Sequence, residues 1–219
     1  MVFDDVDADK VAELSVGNKF RNAGQVCVSP TRFYVHERIH EKFVDRFAAL
    51  AKQMKIGNGL MADSKMGPCA NPRRVEAMDS FIADAQKRGA RLMAGGQRLG
   101  NEGFFWQPTV LADVPNDATI MNTEPFGPVA VINRFRDFDE VVEQANRLPY
   151  GLASYTFTES ERTATAIGDA LDSGMVGINT FAITAAETPF GGVKESGYGS
   201  EGGIEGLDGY LTTKFISQF

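Results

Sequence analysis

The chain has 219 residues, of which 43% are hydrophobic and 23% charged, a composition typical of a globular protein that buries a full core. The net charge of −7 argues against nucleic acid or an anionic membrane as a partner. No apolar run approaches the roughly 20 residues that span a bilayer, and the acidic start Met1–Asp5 lacks the pattern of a signal peptide. We therefore expect a cytoplasmic protein.

Predicted helices and strands alternate along the chain, which favours an α/β fold with a largely parallel sheet and flanking helices. Ligands in such folds bind in loops beyond the carboxyl ends of strands, and the loops around Cys27 and Glu124 are the candidates. The predicted helices are Ala8–Phe20, Glu37–Lys55, Pro72–Arg88, one opened by Asp137 and Glu140, and Ser160–Leu171. The predicted strands are Thr31–His36, Val129–Phe135, Ala153–Thr158 and Met175–Ile178. Further extended segments are predicted at Arg91–Ala94, Phe105–Leu111 and Tyr210–Phe219.

The histidines and cysteines of the chain argue against a metal site and against a disulfide bond. His36 and His40 are four residues apart, but no third ligand type clusters with them, so we predict solvated side chains at a strand-to-helix junction and no metal site. One disulfide between Cys27 and Cys69 would be a weak constraint for a chain of this length. Without an export signal, reduced thiols are expected.

Cys27 follows a glycine that permits a sharp exit from the preceding helix, so it is predicted to lie on a loop. A partly exposed thiol there could act as a nucleophile in its thiolate form. The alternative is a small buried hydrophobic residue, the usual environment of a free cysteine, and the local pattern alone favours that alternative.

The segment Gly197–Gly202 matches the dinucleotide-binding pattern G-x-G-x-x-G. The surrounding sequence argues against that function, because no buried strand precedes it and no ribose-binding acidic residue can follow at the required distance before Phe219. We interpret it as a flexible glycine loop that leads into a terminal helix. No other segment resembles a nucleotide-binding fold.

Five segments in the same order resemble the aldehyde dehydrogenase superfamily. The first runs Phe20-x-Asn22-x-Gly24-Gln25-x-Cys27 and is similar to the active-site signature of that family, and the second is Asn122–Pro128. The remaining matches are Tyr150–Leu152, Gly177–Asn179 and Pro189–Gly199.

The resemblance implies a role for each of three residues. Cys27 would attack the aldehyde carbonyl and form a thiohemiacetal, which loses a hydride to NAD or NADP and leaves a thioester that water hydrolyses. Its backbone N–H would stabilise the oxyanion. Glu124 would accept hydrogen bonds from the ribose of the cofactor, and Phe126 would pack beside the nicotinamide. Without the resemblance, Glu124 would be interpreted as a solvated loop residue and Phe126 as a core aromatic.

The chain also departs from the family. The glutamate that serves as general base, an asparagine that helps to stabilise the oxyanion and the glycine-rich cofactor domain all precede the cysteine in the family, and none is found before Cys27 here. We therefore expect residues 1–209 to form the catalytic domain, without an N-terminal cofactor-binding domain, and this chain alone to be inactive. Cys69 is expected to be structural.

The resemblance to succinate-semialdehyde dehydrogenases suggests the substrate. Those enzymes carry an arginine at the position of Arg21 that binds the distal carboxylate, a task for which a guanidinium is suited. Thr184 lies near the position of a serine with the same role, and Phe190 would line the pocket. Another small-molecule aldehyde remains an alternative, as does a structural role for Arg21 at a helix end.

Two other functions compete with catalysis. A non-catalytic protein could keep the fold for assembly, since the β-prone segment 210–219 could pair across a subunit boundary, as the tail of the family does, in a homo-oligomer. A thiol redox sensor at Cys27 is the weaker alternative, because the chain offers no nearby resolving cysteine.

Overall fold

A computed structural model describes residues 1–219 and shows a sheet with helices on both faces. No helix is long and apolar enough to pass through a bilayer. The helices are α1 (Ala8–Phe20), α2 (Glu37–Gln53), α3 (Pro72–Lys87), α4 (Thr119–Asn122), α5 (Phe138–Asn146) and α6 (Glu161–Ala170), and 3-10 turns cover Arg21–Gly24 and Glu205–Tyr210. The strands are β1 (Arg32–His36), β2 (Arg91–Ala94), β3 (Thr109–Ala112), β4 (Val129–Phe135), β5 (Tyr150–Gly151), β6 (Ala153–Thr156), β7 (Met175–Ile178) and β8 (Val193–Lys194).

The sheet is largely parallel, as the sequence predicts. Strands β1, β4 and β3 pair in parallel, and only β2 at the edge runs antiparallel. Strands β6 and β7 form a second parallel pair. Residues Met1–Phe3 connect the two sets, because Val2 bridges in parallel to both Val35 and Phe157. The result is one continuous surface on which helices pack from either side.

Each face of the sheet buries its own apolar cluster. On one face α1 and α2 pack against alternate side chains of β1, including Phe33 and Val35. On the other face Tyr34 joins a cluster with side chains from α3, α5 and α6, among them Met78 and Ile167. This alternation follows from the period of two along a strand, and it divides the helices between two apolar clusters, one on each face of the sheet.

Local capping fixes the starts of two helices where the sequence predicts them. The side chain of Asn71 accepts from the backbone N–H of Arg74, and Pro72 occupies the first turn of α3. Asp137 accepts from the N–H of Glu140 at the start of α5. The carboxylate of Glu140 accepts from the N–H of Arg136, one residue before the position that a standard capping box would use.

The prediction that His40 is solvated is wrong, and the predicted C-terminal strand does not form within this single chain. His40 is fully buried rather than solvated, because it lies on the side of α2 that packs on β4, with its ring nitrogens near the Ile132 carbonyl and the Glu41 carboxylate. His36 lies at the predicted strand-to-helix junction and caps α2. Residues 211–219 form no strand and are exposed, so a strand there stays a prediction that needs a second chain.

Candidate active site

The turn that carries Cys27 begins where α1 ends. Asn22, Ala23 and Gly24 all have positive φ values, of 52°, 55° and 69°, so the chain reverses over three consecutive left-handed residues. Such a conformation costs energy for the two residues that have a Cβ. It is held by reciprocal hydrogen bonds, from the Asn22 side chain to the Gln25 carbonyl at 2.9 Å and from the Gln25 side chain to the Asn22 carbonyl at 3.1 Å.

Three further contacts fix the segment from Gln25 to Ser29, which we call the nucleophile loop. The Gln25 side-chain oxygen accepts from the N–H of Ala70 at 2.7 Å. The Ser29 hydroxyl donates to the Lys19 carbonyl at 3.1 Å, and the Tyr155 hydroxyl donates to the Val28 carbonyl at 2.7 Å. The thiol of Cys27 is exposed between these anchors. The loop therefore presents a free thiol from a fixed backbone.

Residues 123–128, which connect α4 to β4 and which we call the Glu124 loop, lie against the turn that leads into the nucleophile loop. A Cβ on Gly24 would overlap the carbonyl of Gly127, so the two backbones touch where only a glycine fits. Arg74 donates to the Pro125 carbonyl at 3.1 Å and holds the other side of the Glu124 loop. Phe126 has a φ of 43° and is partly exposed. The two candidate loops predicted from sequence are thus neighbours.

Lys19 lies fully buried beneath both loops. Its ammonium donates to the Thr31 hydroxyl at 3.2 Å. Removal from water lowers the pKa of Lys19 to about 7, and the charge of Glu124 opposes part of that shift. A titratable amine is therefore enclosed behind the nucleophile.

A cavity of about 690 Å³ opens in front of the thiol. Its lining includes Cys27, Val28, Glu124, Tyr155 and Phe181. The ring of Phe181 lies 4.8 Å from that of Tyr155 and forms an aromatic wall with it. Cys27 and Glu124 therefore line the same cavity, and its volume suits a small molecule.

The other predicted site residues lie outside the lining of this cavity. Arg21 is exposed on the turn before Cys27, and its charge acts on the Tyr155 hydroxyl. Phe126 and Thr184 are exposed, and Phe190 is half-buried in a backbone bridge with Glu201. The structure therefore brings Cys27 and Glu124 into one cavity, places Arg21 nearby and leaves Thr184 and Phe190 outside it.

A model of the aldehyde dehydrogenase family matches residues 1–216. The chain belongs to this family. It is 45% identical over 216 residues to 4-(hydroxymethyl)benzenesulfonate dehydrogenase TsaD1 of Comamonas testosteroni and 40% identical over 216 residues to succinate-semialdehyde dehydrogenase (NADP(+)) GabD of Escherichia coli strain K12. In each comparison the match covers 99% of this chain and 45% of the relative.

A solved structure agrees with the sequence comparisons. The crystal structure of succinate-semialdehyde dehydrogenase from Burkholderia pseudomallei superposes with a TM-score of 0.93 at 42% identity, over 96% of this chain and 44% of that one. The predicted family and fold are confirmed. The chain spans less than half the length of the relatives it matches.

The two cysteines of this aldehyde dehydrogenase chain lie in opposite environments. Cys69 is buried, and burial raises the pKa of its thiol, although the nearby charge of Arg74 acts the other way. Cys27 is exposed beside the cavity. Only Cys27 is therefore placed to meet a ligand, whereas the structural role of Cys69 stays a prediction with which its burial is consistent.

Three residues that shape the site, Tyr155, Phe181 and Lys19, have no role assigned from the sequence. The only local signal is the position of Lys19, which lies four residues after Ser15 and one before Phe20, on the buried face of α1. Its burial and the contact of Tyr155 with Val28 depend on segments far away in sequence.

Proposed function

We propose that this chain is the catalytic portion of a NAD(P)-dependent aldehyde dehydrogenase and that Cys27 is its nucleophile. The observation that carries the proposal is the exposed thiol of Cys27 on a fixed loop that faces the cavity shared with Glu124. A loop pinned at Gln25, Val28 and Ser29 keeps the thiol oriented for attack, which is the condition for efficient covalent catalysis.

Glu124 and Phe126 fit the nicotinamide and ribose part of the NAD(P) cofactor that the family implies. The Glu124 carboxylate is exposed at the cavity, so it can accept hydrogen bonds from ribose hydroxyls, and Phe126 lies two residues further on with an exposed ring. When bound, the nicotinamide supplies the acceptor for a hydride. Both NAD and NADP are candidates for this position.

The steps assigned to this chain begin at Cys27. The Cys27 thiolate forms a C–S bond with the carbonyl carbon, and the carbonyl electron pair moves to oxygen, where the Cys27 N–H stabilises it. The C–H bond then breaks, its electron pair would pass as hydride to the bound nicotinamide, the C=O bond forms again, and a thioester remains on Cys27. Water cleaves the thioester, which releases the carboxylate and restores the Cys27 thiolate, and the two protons of the water pass to solvent.

We propose that the substrate is an aldehyde with a distal anionic group, of which succinate semialdehyde is the first candidate. Arg21 supports this, because its side chain is exposed in the turn that precedes Cys27 and takes part in none of the ion pairs of the chain. A guanidinium binds the two oxygens of a carboxylate or of a sulfonate with parallel hydrogen bonds. The proposal for Thr184 and Phe190 rests on the family resemblance alone.

The names of two relatives are consistent with either anion. One is a dehydrogenase of a benzenesulfonate and the other of succinate semialdehyde. A sulfonated aldehyde is therefore a second candidate substrate for Arg21.

We also propose that the tail from Tyr210 to Phe219 serves assembly into a homo-oligomer. Large apolar side chains in this tail are almost fully exposed, including Phe215 at 89% and Ile216 at 78%. An exposed apolar segment without a strand partner in its own chain is suited to pair with another copy.

Protection of Cys27 by an aldehyde tests the proposed function directly. Thiohemiacetal formation needs no cofactor, so succinate semialdehyde should slow the alkylation of Cys27 by iodoacetamide in a saturable manner. Alkylation that is unchanged at every aldehyde concentration would contradict the proposal.

A further inference from the structure

Tyr155 occupies a position that no step of the proposed reaction uses. It lies on β6, is 8% exposed, and its ring packs against Phe181 at the cavity wall. Its hydroxyl donates to the Val28 carbonyl at 2.7 Å, and Val28 is the residue that follows Cys27. A buried side chain from the sheet therefore contacts the nucleophile loop next to the reacting group.

The electrostatic surroundings of this hydroxyl place it close to the reacting residues. Burial and, to a smaller extent, the charge of Cys27 raise the pKa of Tyr155 to about 12, although the charge of Arg21 acts in the opposite direction. The phenol is therefore a hydrogen-bond donor throughout the physiological range. Because that donor is used by the Val28 carbonyl, the hydroxyl acts on the backbone of the loop and not on the thiol itself.

Tyr155 holds a part of the nucleophile loop that the other contacts of the loop do not hold. Gln25 is held before Cys27 by the N–H of Ala70, and Ser29 is held after it by the Lys19 carbonyl. Between these anchors the Val28 carbonyl is held from the side of the cavity by Tyr155. This contact fixes the orientation of the peptide unit between Val28 and Ser29, one residue after Cys27. An error of an ångström in the position of the thiol is costly to catalysis.

We propose that Tyr155 is a positioning residue for Cys27, which acts by holding the Val28 carbonyl so that the thiol faces the cavity. This inference rests on the proposed function of Cys27 and assigns Tyr155 no contact with the substrate.

The test compares the Tyr155→Phe chain with a matched control, Tyr34→Phe. Both substitutions remove a buried tyrosine hydroxyl that donates to a backbone carbonyl, since Tyr34 donates to Gln144 at 3.3 Å. Two quantities are measured for each chain: amide hydrogen exchange across residues 25–30, and the concentration of succinate semialdehyde that halves the alkylation rate of Cys27.

In Tyr155→Phe we expect faster exchange in residues 25–30 and a half-protection concentration higher by about 2- to 13-fold. That range corresponds to a neutral hydrogen bond of about 0.5–1.5 kcal/mol. In Tyr34→Phe both quantities should stay at the wild-type level.

The proposal is overturned if Tyr155→Phe matches the wild type in both quantities or if Tyr34→Phe changes them equally. It is also overturned if Tyr155→Phe fails to fold by circular dichroism, because the hydroxyl would then support the core and not the loop. A wild-type chain that shows no aldehyde protection would instead refute the proposed function, and the exchange measurement would still decide the role of Tyr155.

Discussion

Gly24 touches the backbone carbonyl of Gly127, and this contact joins the loop that carries Cys27 to the loop that carries Glu124. Neither glycine can gain a side chain without displacement, since a Cβ on Gly127 would meet the sulfur of Met78. The relative position of the thiol and the carboxylate therefore depends on two residues that carry no chemistry themselves.

Gly24→Ala should destabilise the chain. The new methyl group would overlap the Gly127 carbonyl, and alanine would have to adopt a φ of 69°. We expect the free energy of unfolding in urea to fall by about 2–5 kcal/mol.

Gly17→Ala is the matched control, because Gly17 lies inside α1 with no atom near its added methyl group. It should stabilise the chain by about 0.5–1 kcal/mol. Equal effects of the two substitutions would show that the contact with Gly127 is unimportant.

Much of the fold could be predicted because its determinants are local. Asn71 and Asp137 start helices through bonds to residues three positions away, and the apolar run of β4 marks a buried strand. The burial of His40 and Lys19 could not be predicted, because a polar residue on a helix is enclosed only by what the rest of the chain packs onto it.

The candidate site could also be predicted only in part from the sequence. Cys27 and Glu124 can be proposed from the sequence because their segments resemble the family signatures. The left-handed conformation of Ala23 has no signal in residue type, unlike that of Asn22, and it is stabilised by contacts that form only in the folded chain.

The burial of Lys19 should make stability depend on pH. The pKa of Lys19 is about 7 in the folded chain and about 10.5 in the unfolded chain, so between these values the unfolded chain binds more protons. The contribution of Lys19 to the free energy of unfolding therefore rises with pH through this window, and its full penalty applies below about pH 7.

Lys19→Met should remove that penalty. We expect the variant to gain stability over the wild type at pH 6, and the gain to shrink by roughly 2–3 kcal/mol by pH 9, as measured by urea unfolding at both pH values. Lys52→Met, at an exposed position in α2, is the control and should show no such trend. A gain from Lys19→Met that is equal at both pH values would contradict the expected titration.

Arg21→Ala should weaken anionic aldehydes selectively. We expect the concentration of succinate semialdehyde that half-protects Cys27 to rise by about 10- to 150-fold, the effect of losing a charge-assisted hydrogen bond, while butanal changes little. The same contrast is expected between 4-formylbenzenesulfonate and benzaldehyde. If charged and uncharged aldehydes weaken equally, Arg21 holds the nucleophile loop and does not bind the anion.

The chain should self-associate through its tail. Light scattering at micromolar concentration should show a mass above that of one chain, and removal of residues 211–219 should reduce it, because those residues expose apolar side chains. A monodisperse monomer with the tail intact would refute the assembly proposal.

The reactivity of the two thiols tests the central claim most directly. The folded chain is treated briefly with iodoacetamide, with and without succinate semialdehyde, and the labelled peptides are quantified by mass spectrometry. We expect that Cys27 is labelled first, that the aldehyde protects Cys27, and that Cys69 reacts only after unfolding, because it is buried with a raised pKa. Preferential labelling of Cys69, or labelling of Cys27 that the aldehyde leaves unchanged, would contradict the assignment of Cys27 as the nucleophile.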